Sequence, residues 1–197
     1  MMLIEETTVP DGVLPVAAFK AHLRLGSGFD TDDVQDALVR SFLRAALAAI
    51  EVRTGKVLIS RTFSWSVTGW RGPYAQVFPV APVTEVLAVA QVARGGDESV
   101  VNPDQYWLER DMQQPRLRAF GAGLTPVPAG GAVKVSFVAG FGSDWADLPG
   151  DLAQAVLMLG AHYYEYRNDT GLSEGCMPFG VSSLIERYKT VRMGFGT

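Results

Sequence analysis

One stretch, Phe29 to Gly55, constrains the fold more than any other part of the chain. Its ends carry the groups that start and stop a helix. Asp30 and Thr31 are N-cap residues, whose side-chain oxygens accept from the first free backbone N–H groups. Asp32 and Asp33 place negative charge where the helix dipole favours it. Phe29 precedes the cap, positioned to staple onto the first turn, and Gly55 is the expected stop. Between them, at about 100° per residue, Val34, Ala37, Leu38, Phe42, Ala45, Ala46, Ala49 and Ile50 fall in one wide arc. Asp36, Arg40, Arg44 and Glu51 gather on the opposite side, with Asp36 and Arg40 at salt-bridging spacing. The pattern predicts a half-buried helix of roughly 34 Å, the spine of a small domain.

Residues 1–12 read as an extended lead-in. Pro15 suits the first turn of a short helix with Val16, Phe19 and Leu23 on one face and Gly26 at its end. After Gly55 the period changes to two. Val57 to Thr68 is β-branched and aromatic, and Gln76–Val80, Thr84–Ala93 and Ala132–Ala139 read as further strands. Tyr106–Arg110 and Arg116–Phe120 form a predicted hairpin, and Trp70–Tyr74 an exposed loop. Pro149 opens a second long helix, in which Leu152, Ala155, Val156, Leu159, Tyr163 and Tyr166 recur at helical spacing. Ser182 or Ser183 then caps a short helix with Leu184, Ile185 and Tyr188 on one face. The expected class is α+β: a helical core of two long packed helices plus short N- and C-terminal helices, with an antiparallel β-rich insertion between the long helices. The expected organisation is a single domain, 1–197, with its helical core in 15–55 and 148–190, the insertion in 57–140, a flexible linker at 168–180 and a tail at 191–197.

Hydrophobic residues make up 48% of the chain, enough to bury a core. Seventeen basic against 21 acidic residues give a net charge of −4. That argues against a general nucleic-acid binder, which carries a basic face, but not against a protein that encloses DNA without gripping it. A lone cysteine, Cys176, rules out an internal disulfide framework. The N-terminus lacks the basic and apolar regions of a signal peptide, and no apolar run is long enough to span a bilayer, so no membrane is expected. His22 and His162 fall on separate helices without metal-ligand spacing, and zinc needs three or four clustered ligands. The glycine-rich pieces match neither a P-loop nor a dinucleotide fingerprint, so no metal and no cofactor is expected. Tyr163, Tyr164 and Tyr166 cannot all face the core, and with only Arg167 nearby, packing plus a protein contact explains them better than base stacking. A small soluble enzyme with its site near His22 and His162 remains a second reading.

Read together, these pieces resemble the head–tail connector (adaptor) proteins of long-tailed phages and of phage-derived gene transfer agents. The resemblance begins with Phe19-Lys-Ala-His-Leu-Arg24 and runs through Asp32-Asp33 and Ala45 into Glu51-x-Arg-Thr-Gly55-x-x-Leu58. It continues in Pro79-x-x-Pro-Val-x-x-Val86, Tyr106-x-Leu108 and Val133-x-Val-x-Phe-x-Ala-Gly-Phe-Gly142. Leu148-Pro149-x-x-Leu152 and His162-Tyr-Tyr-x-x-Arg167 complete it. Order and spacing together carry the likeness, since no motif in it is catalytic.

The resemblance implies a structural protein without enzymatic activity, found in the neck of a virion or gene transfer agent particle assembled in the bacterial cytoplasm. It implies a homo-oligomeric ring, dodecameric as a rule, seated under the portal protein. DNA passes through such a ring without specific binding, and a stopper or other tail-side neck protein docks below. A neighbouring stopper or tail-completion protein is a third reading, whose small β-barrel pattern fits the long helices less well. A ring closed by a heterologous contact needs two different faces on one protomer. The long helix pair offers one, with Arg40, Arg44 and Glu51 of the spine helix as candidate subunit contacts, and the β insertion with its exposed Trp70/Tyr74 loop offers the other. The amphipathic C-terminal segment, with Tyr188, Val191, Arg192, Met193 and Phe195, is the candidate portal-docking element.

Overall fold

In this computed structural model, which describes residues 1–24, 33–167 and 177–189, strands and helices form where the side-chain period switches between two and about 3.6. The strands are β1 (Met2–Glu5), β2 (Arg61–Val67), β3 (Ala75–Val77), β4 (Val83–Val92), β5 (Glu98–Val100), β6 (Tyr106–Glu109), β7 (Arg116–Ala119) and β8 (Ala132–Ala139). The helices are α1 (Val16–His22), α2 (Asp33–Thr54), α3 (Gly150–Glu165) and α4 (Phe179–Ile185). The chain divides into a β unit, Met1–Val9 with Ile59–Ser143, and a helical unit, Pro10–Leu58 with Asp144–Thr197.

The β unit holds two antiparallel sheets, one of five strands in the order β1-β2-β8-β4-β5 and one of three in the order β3-β7-β6. Central β8 buries every second residue, Val133, Val135, Phe137 and Ala139, as a pleated strand with one covered face must. Its register with β2 sets Phe137 opposite Phe63 and Val135 opposite Trp65. Phe63 and Phe137 stack with ring centroids 5.6 Å apart. Phe78, just beyond β3, reaches Phe137 at 4.9 Å and Trp65 at 5.7 Å, which fastens the small sheet to the large one. Each such side chain contributes roughly 1.5–3 kcal/mol by leaving water. At the end of β8 the backbone of Gly140, with φ +140°, passes so close to the chain at Ser60 that a Cβ would lie 2.4 Å from the Ser60 Cα.

In the helical unit, α2 buries Val39, Leu43, Ala46, Leu47 and Ile50, and ends at Gly55, whose left-handed φ of +69° is the glycine C-terminal cap. Against it α3 buries Leu152, Ala155, Val156, Leu159 and Gly160. Fully buried Phe19 of α1 wedges beside Gly160, where a Cβ would stand 3.0 Å from the ring. On its other flank α3 holds α4 through Val181 and Ile185.

Two expectations are corrected. The helical core of two long packed helices does not form: among the described residues there are four helices, of which α2 alone is long at 22 residues, beside two antiparallel sheets. The class is mixed α+β, but not a helical core interrupted by a β insertion. The lead-in completes the larger sheet as β1, which the pattern hid because its partner β2 lies far along the chain. The apolar arc of α2 is also divided. Ala37, Leu38 and Ala45 face outward while Val39, Leu43 and Leu47 take the core, because periodicity marks apolar faces without saying which one a neighbour covers.

Phe137→Ala should lower unfolding free energy by about 3–5 kcal/mol through the cavity it leaves, and Gly140→Ala by about 3 kcal/mol through backbone strain and overpacking. Urea unfolding of the purified protein measures both. A loss below about 1 kcal/mol would mean, for Phe137→Ala, that this cluster does not hold the sheets and, for Gly140→Ala, that the chain at Ser60 gives way to the added methyl.

Candidate assembly surfaces

The charged flank of α2 is turned to internal use. Lys20 of α1 reaches Asp36 at 2.6 Å, and Arg40 approaches the same carboxylate at 3.5 Å. Arg44 grips Asp11 at 2.5 Å, and that hydrogen bond holds the Asp11 carboxyl below the usual carboxylate range. Glu51 accepts from the backbone N–H of Leu58 at 2.7 Å, closing the helix exit. Arg40, Arg44 and Glu51 thus lie at the surface, each already engaged in tying the helical unit together.

In the β unit the Trp70 indole N–H donates to the Thr125 carbonyl at 2.7 Å, and the Leu124 N–H donates to the Pro73 carbonyl at 2.8 Å. These bonds pin the loop and leave Tyr74 58% exposed at its end. Sequence reasoning missed a second aromatic surface, the outward face of the three-stranded sheet. There Trp107, with Arg118 directly opposite and 5.9 Å from its ring, stands beside exposed Phe120. The period-two alternation of buried Leu117 with Arg116 and Arg118 was the signal for it.

The histidines are not brought into a cleft. A hollow of about 470 Å³ between β4 and β6 is lined by Thr84, Glu85, Leu87, Tyr106, Trp107 and Arg110, among others, but by no histidine. His22 is exposed at the end of α1, and the His162 ring lies 4.7 Å from that of Tyr166, tilted by 45°. Among the described residues no three His, Cys, Asp or Glu side chains stand close enough to share a metal ion, and no helix is long and apolar enough to cross a membrane.

At the C-terminal end, Tyr188 is buried and donates to Asp151 of α3 at 2.7 Å, while Arg187 bridges the Tyr188 oxygen and Asp151. Val191, Arg192, Met193 and Phe195, together with Cys176 and the cap residues Asp30 to Asp32, lie outside the described residues. Burial, then the carboxylate beside it, push the Tyr188 phenol above its ordinary range. A native pKa raised above the unfolded one means that the neutral form is favoured by folding. Its contribution is complete below about pH 10 and is lost as pH rises towards the raised native value. Tyr188→Phe should therefore cost about 1–2 kcal/mol at pH 8 and remove this alkaline loss. Thermal unfolding at pH 8 and pH 11 checks it, and identical profiles for the two proteins would refute the role of the hydroxyl.

No protein-family model matches the chain, and no characterised protein sequence matches it significantly. Solved structures do. A chain in the neck of an empty gene transfer agent particle, computed with C6 symmetry, is 51% identical with a TM-score of 0.90. Chains in the neck of the native particle with C12 symmetry and in the native gene transfer agent virion are 48% and 50% identical, with TM-scores of 0.86 and 0.88. Each alignment covers 100% of this chain and 99% of the other. With half of its residues identical from end to end, and both units reproduced, the chain belongs to the neck proteins of gene transfer agent particles.

Proposed function

We propose that the chain is the head–tail connector of its particle, a dodecameric ring beneath the portal that hands DNA from the filled head to the tail. The chain is a structural protein of the particle neck. That much, with assembly as a homo-oligomeric ring, rests on its full-length identity of 48–51% to neck chains whose assemblies have C6 and C12 symmetry. The same match weighs against an enzyme built on His22 and His162. The connector role in particular is supported by the ordered resemblance along the sequence. A net charge of −4 suits a channel that phosphates slide through rather than stick to. Arg40, Arg44, Glu51, Trp70 and Tyr74 are the proposed subunit contacts, with a stopper or other tail-side neck protein below the ring.

In this reading the docking element for the portal begins after Tyr188, since Tyr188 itself is the anchor that fixes its root to α3. Val191, Arg192, Met193 and Phe195 supply the apolar and cationic contacts of a segment laid into a partner's groove. Deleting residues 190–197 leaves the anchor in place. It should give DNA-filled heads and free tails that do not join, counted by electron microscopy of particles from producing cells. Normally tailed particles in wild-type number would dismiss this portal contact.

A further inference from the structure

We propose that the outer face of α2 is a ring contact, and that it packs on the outer face of α4 in the next copy of the chain. The inference rests on the ring reading above and names the surfaces that close the ring.

The α2 face is Ala37, Leu38, Ser41, Ala45, Ala48 and Val52, every one exposed, Leu38 by 43% and Val52 by 88%. At about 100° per residue these six fall within a single arc of about 100°, nearly opposite the buried side of the helix. The arc runs for about 22 Å and holds no charge. A solvated helix face carries Lys, Glu and Arg instead. Apolar surface continuous over four turns is the composition of a face that leaves water on assembly.

A ring closed head to tail requires a different, complementary face on the opposite margin of the protomer. Within the helical unit α3 is the middle helix. Its Gly160 and Tyr164 look towards α2: a Cβ on Gly160 would lie 3.8 Å from the Ala46 Cβ, and the Tyr164 ring is 5.8 Å from Phe42. Its Met158 and Asp151 meet the α4 end, at Gly180 and Tyr188. These two directions diverge by roughly 150° around α3. On the far margin α4 turns Val181 and Ile185 inward and presents Phe179, 88% exposed, with Ser183 one turn later. Phe179 is a large apolar residue facing out where Ser41, Ala45 and Ala48 are all small, and small residues let helices approach to about 8 Å. The borders match as well. Arg40 and Arg44 run along one edge of the α2 face, while Glu186, its side chain 69% exposed and also paired with Lys189, follows the last residue of α4. Opposite charges at the rim set register.

The test uses assembled particles. In a Cys176→Ser background, which removes the chain's one cysteine, Ala45→Cys with Ser183→Cys should give a ladder of covalent multimers on oxidation. Either cysteine alone should run as monomer. Ala45→Arg with Ala48→Arg should reduce tailed particles about tenfold or more while leaving thermal unfolding unchanged. No ladder from the cysteine pair, wild-type particle numbers from the arginine variant, or intact rings that lose only another neck component would each overturn the α2–α4 contact. The mass of the wild-type complex isolated from necks separates the two ideas. If the wild-type chain is not a ring there, the ring reading itself fails. If it is a ring and the variants behave as wild type, only the assignment of faces fails.

Discussion

The packing of Phe63, Trp65 and Phe78 around Phe137 is the interaction on which the β unit depends. Two sheets with short strands have little to hold them to each other, and β3, β6 and β7 have only three or four residues each. Phe78 carries the small sheet onto the large one because it touches both Trp65 and Phe137. The helical unit solves the same problem with Phe19, which occupies the space that Gly160 leaves open. In both units one buried aromatic residue decides where the neighbouring element sits, and the polar network follows from that placement.

The ion pairs around α2 then take on a different meaning from the one their surface position suggests. Lys20–Asp36 and Arg44–Asp11 bind elements that precede α2 in the chain onto its flank. An exposed pair such as Arg44–Asp11 is worth little by itself, so its effect is on orientation more than on stability. With the charges gathered on that flank, the side of the helix next to it keeps an exposed, uncharged face. In the contact proposed for it this face is shallow: alanine and serine bury little area until a matching surface arrives.

Much of this was legible in the sequence. Val133 to Ala139 alternates so strictly that β8 was read at its true bounds, and Gly55 marked the end of α2 correctly because few residues other than glycine adopt its left-handed φ. What escaped was whatever depended on partners distant in the chain. Met2–Glu5 has no alternation of burial and becomes a strand only because β2 is there to receive it. The apolar arc of α2 was seen, but its division into a covered and a bare half is set by where α3 lies. Trp70 looked like an exposed aromatic until the Thr125 carbonyl, 55 residues on, was found under its indole N–H. The Asp36–Arg40 pair was legible from its spacing, whereas the partners of Arg44 and Glu51, Asp11 and the Leu58 N–H, lie before the helix and beyond its end.

The division of the chain between its two units has a consequence for the order in which the molecule is made. The first nine residues belong to the β unit, the next forty-nine to the helical unit, and the chain returns to each once more. During synthesis from the N-terminus, β1 waits for β2, and Phe19 waits for Gly160. The β unit is complete at Ser143, when the helical unit still lacks α3 and α4. Until α3 has been translated, α2 has only α1 against it, and α4 has no helix to pack on. On the α2–α4 contact proposed above, the ability to join another copy arrives with the last-made helix.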